Sequence, residues 1–150
     1  MLDVVESALN GLRMTPCPGC SQRALSVPRS AGSPCEASCG ACGACWDTLA
    51  DVRVVGDSQR LHGNCCAGFR RHELRWQQTE GEAVHALRFE TWAQDHVLLR
   101  PGDVATVLLE PGAIAAHAGR RRPPMPLIVA NHTLRRVWAL AGSAPVATLR

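Results

Sequence analysis

The sequence predicts a mainly β protein with a minor helical part: a short N-terminal helix, a small cysteine-rich lobe, and an antiparallel β sandwich or partial barrel. Two observations lead to this fold class. Several short runs in the C-terminal half carry apolar residues at strand-like spacing, separated by turn residues. Residues 3–12 instead carry a helical stripe of apolar positions, with Asp3 as a cap and Glu6 three residues later.

The C-terminal half contains the predicted strands. The turn residues Pro101-Gly102-Asp103 predict a hairpin over 96–109, and a second turn is expected at 131–133. Trp76, Trp92 and Trp138 fall in apolar segments and are expected in the core. The predicted strands span 83–92, 96–100, 103–109, 126–131 and 134–140.

The middle of the chain has weaker patterns. Residues 47–56 predict a helical turn that leads into a short strand at 52–55, and residues 57–68 predict a loop. The stretch FRRHELRWQQ, residues 69–78, suits a short helix. We therefore divide the chain into an N-terminal helix (1–14), a cysteine-rich metal-binding lobe (15–66) and a small β domain with a basic C-terminal segment (67–150).

The composition bounds the chemistry of the cysteines. The chain has eight cysteines, and its 16 basic residues are all arginine. It shows neither a secretory leader nor an apolar run of about 18 residues, so we expect a cytoplasmic protein that does not enter a membrane. In a reducing compartment, eight cysteines favour metal or redox chemistry over a disulfide framework.

The cysteine spacing is typical of a metal site. Cys17 and Cys20 form one C-x₂-C pair, and the second pair is either Cys39 with Cys42 or Cys42 with Cys45. Two such pairs can surround one tetrahedral zinc ion. Residues 15–46 are also too poor in large apolar side chains to fold without a cross-link.

On these residues the segment resembles the zinc-ribbon family. The matching stretches are Cys17-Pro-Gly-Cys20 and Cys39-Gly-Ala-Cys42-Gly43, or the frame three residues later. The resemblance covers about a fifth of the chain and implies a structural zinc ion held by four thiolates. It implies nothing about the remaining residues.

We assign the first metal site to Cys17, Cys20, Cys42 and Cys45, and we expect one or two zinc ions. Trp46, directly after this cluster, is expected to cover the lobe against the β body. His62 is a further candidate ligand. The cysteines left for a second site, or as alternative ligands, are Cys35, Cys39, Cys65 and Cys66.

Other uses of the cysteines remain open. The run Cys39-x₂-Cys42-x₂-Cys45 matches the first three ligands of a bacterial ferredoxin cluster, but the fourth Cys-Pro is absent and Trp46 follows instead. The adjacent Cys65 and Cys66 are candidate redox thiols or small buried residues. Disulfides are the expectation if the protein is exported.

A basic segment is the candidate partner surface. Residues 111–150 contain no Asp or Glu, and Arg120, Arg121 and Arg122 precede two prolines in a predicted loop over 119–126. These arginines could contact an acidic protein surface or nucleic acid. The cysteine lobe itself is not basic, since residues 1–46 carry three arginines and three acids.

The sequence contains no dinucleotide-binding, phosphate-loop or nucleophile-elbow motif. We therefore expect a non-catalytic, metal-stabilised interaction or accessory subunit that docks on a larger protein assembly. An iron–sulfur electron-transfer or redox protein is one alternative. A nucleic-acid-binding zinc ribbon is the other.

Overall fold

A computed structural model describes residues 11–28, 33–64, 67–116 and 123–140. Its strands belong to one antiparallel sheet that curls into a half-barrel, which confirms the predicted mainly β class and the partial barrel. The strands are β1 (Leu25–Ser26), β2 (Cys35–Cys39), β3 (Cys45–His62), β4 (Phe69–Gln77), β5 (His85–Trp92), β6 (Val104–Leu109), β7 (Ile128–Asn131) and β8 (Arg136–Ala139).

Helical structure is short in the described part of the chain. Residues 11–13 are helical, a 3-10 helix spans Ala93–Asp95, and α1 spans Ala113–Ala116. Residues 3–10 of the predicted N-terminal helix lie outside the described residues. None of the described helices is long and apolar enough to cross a membrane.

The long strand β3 organises the sheet. Its first part lies between β2 and β6, and its later part pairs with β4, which in turn pairs with β5. The register shifts between Leu49 and Val52 against β6, and between Val54 and Gly56 against β4. Such irregularities bend and twist a strand, so β3 passes from the cysteine pairs into the half-barrel.

The short strand predicted at 52–55 lies within β3, but the helical turn before it, most of the loop after it and the helix at 69–78 were wrong. Residues 47–62 form neither a helical turn nor a loop, because they belong to the 18-residue strand β3. Residues 69–77 form β4 rather than a helix. In β4, His72, Leu74 and Trp76 are buried and alternate with charged residues, so strand periodicity outweighs the helix-favouring composition.

Four of the five strands expected in the C-terminal half are present, at shorter lengths, as β5, β6, β7 and β8. The second predicted hairpin is present, since β7 and β8 pair across a turn. Residues 96–100 are not a strand, although Val97 and Leu99 are buried. Asp103 accepts the backbone N–H of Arg100, which closes a turn without a paired strand before it.

Both faces of β6 and β7 are buried. One face joins the main core with Val107, Val129 and Trp138. The other face places Leu108 and Ile128 in a second core beside Leu12, Cys17 and Cys39. The cysteine-bearing segment therefore packs against this second face, which is the outer face of the half-barrel.

Candidate metal centre

The first cysteine pair lies in a tight turn before β1. Cys17 N–H donates to Gln22 O at 2.9 Å, and Ser21 N–H donates to Cys17 O at 2.9 Å. The backbone N–H of Gly19 points at Cys17 Sγ, 3.3 Å away. Backbone donors to sulfur favour the thiolate, which is the form that binds a metal ion.

The second pair lies at the β2–β3 hairpin. Cys39 ends β2, its N–H donates to Ala44 O at 2.9 Å, and Gly43 N–H donates back to Cys39 O at 2.9 Å. Gly43 has a φ of +78°, a conformation that glycine adopts at little cost. The hairpin thus returns the chain so that Cys39 and Cys42 lie on the same side as the first pair.

The sulfur atoms of Cys17, Cys20, Cys39 and Cys42 all lie within 4.8 Å of one another. Cys17 Sγ is 3.7 Å from Cys42 Sγ, and Cys20 Sγ is 3.6 Å from Cys39 Sγ. Four sulfurs at the zinc–thiolate distance of about 2.3 Å from one tetrahedral ion lie about 3.8 Å apart. The four thiols therefore already have the spacing of ligands to a single ion.

Burial is graded across the four cysteines. Cys17 and Cys39 are buried, Cys20 is half-buried and Cys42 is exposed. Trp46 packs with Cys20 in the second core, and its Cζ2 would lie 3.3 Å from a Cβ placed on Gly19. Trp46 thus lies beside the first pair and against the second core, and the sequence predicted that it would cover the lobe against the β body.

The four thiols do not ionise alike. Donation from the backbone N–H of Cys42, opposed by burial and aided by Ala41, lowers the pKa of Cys39 to about 7. For Cys20, the N–H of Gln22 favours the thiolate, but burial and the neighbouring thiols outweigh it and raise the pKa to about 12. The group thus opposes full ionisation in the absence of a cation, whose charge would offset the repulsion between thiolates.

Cys45, which we assigned to the first site, lies outside this group of four, and Cys39 takes part in it instead. The Sγ of Cys45 lies 4.0 Å from Gly43 O, and burial followed by the nearby Glu36 raises its pKa. The described cysteines are free thiols. Cys45 therefore does not join Cys39 and Cys42 as a ligand within this group of four.

The remaining candidates are scattered or outside the described residues. Cys35 starts β2, and burial raises the pKa of its thiol. His62 ends β3 and stacks on Phe69, with ring centroids 5.0 Å apart, and it is not part of the four-cysteine group. Cys65, Cys66 and Arg120–Arg122 lie outside the described residues.

Sequence reasoning missed a buried polar array on β3, β4 and β5. His72 Nδ1 lies 2.8 Å from Asp57 Oδ2, and His72 Nε2 lies 2.7 Å from Thr91 Oγ1. The order resembles an acid–histidine–hydroxyl relay. However, Thr91 and His72 are fully buried, so this hydroxyl does not meet a substrate in this conformation. Separations of 15 and 19 residues gave no local motif to detect.

No protein-family model matches the chain, and comparison with the curated proteins and with the solved structures finds no match. The functional argument therefore rests on the geometry of the cysteine group.

Proposed function

We propose that Cys17, Cys20, Cys39 and Cys42 bind one structural zinc ion, and that the protein is a metal-stabilised interaction or accessory subunit. The observation that carries this proposal is the set of four sulfurs within 4.8 Å of one another. These sulfurs come from two separate turns, one before β1 and one between β2 and β3. The ion would join the segment before β1 to the β2–β3 hairpin.

The donor set supports a structural ion rather than a catalytic one. Catalytic zinc sites keep one position open for water or substrate, whereas four thiolates complete a tetrahedral shell. Four thiolates in a tetrahedron also accept a single iron ion. A four-iron cluster binds each thiolate through a different iron, which needs a wider spacing of sulfurs than this group has.

A closed metal site on the outer face of the sheet supports the proposed accessory role, because such an ion stabilises a surface without performing a reaction. Met14, three residues before Cys17, is 58% exposed and offers an apolar contact beside the metal centre. The partner is a larger protein assembly in this proposal, with Arg120–Arg122 contacting its acidic surface. Nucleic acid is the alternative partner for the same arginines.

Metal analysis of matched cysteine variants tests the metal assignment. The protein is purified without oxygen, and zinc, iron and acid-labile sulfide are measured per chain. We expect one zinc and no sulfide in the native chain and in Cys45→Ser, and loss of the ion in Cys39→Ser. A native chain without metal, or loss in Cys45→Ser with retention in Cys39→Ser, would contradict the assignment.

A further inference from the structure

Asp51 is a buried acid in an unusual backbone conformation. It lies at the irregularity of β3 between Leu49 and Val52, and its φ of +49° is left-handed. Its side chain is 6% exposed. Asp51 Oδ2 accepts the backbone N–H of Leu12 at 3.3 Å. A non-glycine residue held in this region costs free energy, which the surrounding contacts must offset.

His132, whose side chain is half-buried, completes an acid–histidine pair with Asp51. It lies in the turn between β7 and β8, where its N–H donates to Val104 O at 2.8 Å. His132 Nε2 is 3.2 Å from Asp51 Oδ1 and 2.7 Å from Thr106 Oγ1. The Thr106 oxygen also accepts the N–H of Asp51 at 3.1 Å. Three separate parts of the fold therefore meet at this pair.

The chain segment that leads into the first cysteine pair rests on Asp51 and His132. A Cβ on Gly11 would clash with Asp51 Oδ1 and would lie 2.6 Å from His132 Cδ2. Leu12 is buried in the second core with Cys17 and Cys39. Thr15 Oγ1 donates to Gly11 O at 2.9 Å, which fixes the residues immediately before Cys17.

We propose that Asp51 and His132 are positioning residues of the metal centre: they hold residues 11–15 on the sheet and so place Cys17 and Cys20 opposite Cys39 and Cys42. The inference rests on the proposed function, because it assigns these residues to the same metal site. The two halves of that site come from different parts of the chain. The pairing of β1 with β2, with Leu25 opposite Cys39, joins the two halves after Cys20, and residues 11–15 fix the chain before Cys17.

Asp51 and His132 together carry the same number of protons whether residues 11–15 lie on the sheet or are released from it. Burial raises the pKa of Asp51 to about 7, although the N–H of Leu12 opposes this, and burial lowers the pKa of His132 to about 4. Between these two pKa values, while residues 11–15 lie on the sheet, the two side chains together carry one proton, on Asp51. The released pair also carries one proton below about pH 6.5, on the histidine. The equilibrium between bound and released residues 11–15 therefore changes little with pH between about 4 and 6.5.

Other ionisable groups on the packed elements are engaged elsewhere or exposed, within the described residues. Asp103, before β6, contacts Asn131 and Arg100, and Arg53 on β3 pairs with Glu80. Arg13 on the seated segment and Arg135 and Arg136 beside the turn are exposed. Asp51 and His132 are therefore the groups that set the pH dependence of this contact.

The test measures amide exchange of Leu12 and zinc affinity in the full chain, with zinc alone as the probe. The variants are Gly11→Ala, Asp51→Asn and His132→Gln, and His72→Gln is the matched control because it removes another buried histidine. Asparagine tolerates the left-handed conformation of Asp51, so Asp51→Asn is expected to fold. Alanine favours helices over glycine, so Gly11→Ala would strengthen a segment that did not rest on the pair.

We expect Gly11→Ala to lower Leu12 amide protection and zinc affinity by about tenfold or more. The added Cβ would displace residues 11–15 and so break the hydrogen bond from Leu12 N–H to Asp51. His72→Gln should change neither. Because coupling is reciprocal, added zinc should raise Leu12 protection in the native chain.

The two single variants should acquire opposite pH slopes. In Asp51→Asn no carboxyl takes up the proton that His132 loses when residues 11–15 bind to the sheet. Leu12 protection should therefore rise about tenfold per pH unit between about 4 and 6.5. In His132→Gln no histidine supplies the proton that Asp51 gains when residues 11–15 bind to the sheet. Leu12 protection should therefore fall about tenfold per pH unit between about 4 and 7. The native chain and the double variant should show neither slope.

The outcomes separate the two claims. If the native chain binds no zinc, the proposed function fails, and the positioning role fails with it. If the native chain binds zinc but Gly11→Ala binds it equally well, only the positioning role is overturned. Equal loss of zinc affinity in His72→Gln, or single variants without opposite slopes, would also overturn it.

Discussion

Cys20 Sγ lies 3.6 Å from Cys39 Sγ, although the two residues are 19 positions apart. One cysteine lies in the turn before β1 and the other ends β2, so the contact joins two separate loops. The second core beneath them contains Leu25 and Leu108, which ties both loops to the outer face of the half-barrel. Metal binding and packing of this face should therefore be linked.

Metal removal should destabilise the protein. With zinc at about a thousand times its Kd, binding contributes about 4 kcal/mol, which corresponds to a Tm decrease of roughly 8–16 °C on chelation for a chain of this size. Calorimetry with and without a chelator measures it, and Cys45→Ser serves as the control with an unchanged response. An equal Tm in both conditions would show that the ion does not hold the fold.

Gly43→Ala should weaken zinc binding. Nothing lies within 4 Å of a Cβ at this position, so the cost comes from the φ of +78° and is about 1–2 kcal/mol. The turn that brings Cys39 and Cys42 together would become less stable by this amount, so zinc affinity should fall by about 5- to 30-fold. Gly43→Asn is the matched variant, because asparagine tolerates this conformation better. Equal affinities in all three proteins would contradict the role of the turn.

Cobalt should quench Trp46. Trp46 packs with Cys20 in the second core, so a paramagnetic ion held by the four sulfurs would lie close to its ring. We expect a loss of fluorescence that follows the cobalt–thiolate absorption and disappears in Trp46→Phe. Quenching that persists in Trp46→Phe would place the ion nearer to another tryptophan.

Thr91→Val should destabilise the half-barrel without affecting metal binding. The change leaves His72 Nε2 buried without its hydroxyl partner, at a cost of about 1–3 kcal/mol. Urea unfolding measures the cost, and Thr79→Val, in an exposed turn, is the control. An unchanged unfolding free energy in Thr91→Val would mean that the contact contributes nothing to stability.

The fold class could be predicted from the sequence, because short apolar runs separated by turn residues mark β5 to β8 directly. The long strand β3 could not, since its bends at Leu49–Val52 and Val54–Gly56 break the alternation. The strand β4 was mistaken for a helix because its charged residues favour helices in isolation. Its place between β3 and β5 decides its conformation.

The candidate site was partly predictable. The spacing of Cys17 and Cys20 gave the first pair, and C-x₂-C spacing left two frames for the second. The choice between them depends on Gly43, which turns the hairpin after Cys42 and leaves Cys45 at the start of β3. The contact of Asp51 with His132 joins residues from β3 and the β7–β8 turn, so no local motif could reveal it.

The most direct test of the central claim is a crystal structure with anomalous diffraction recorded at the zinc edge. The account predicts one peak per chain, about 2.3 Å from the sulfurs of Cys17, Cys20, Cys39 and Cys42. A peak bound to Cys42 and Cys45 without Cys39, or disulfides among these four cysteines with no peak, would contradict it.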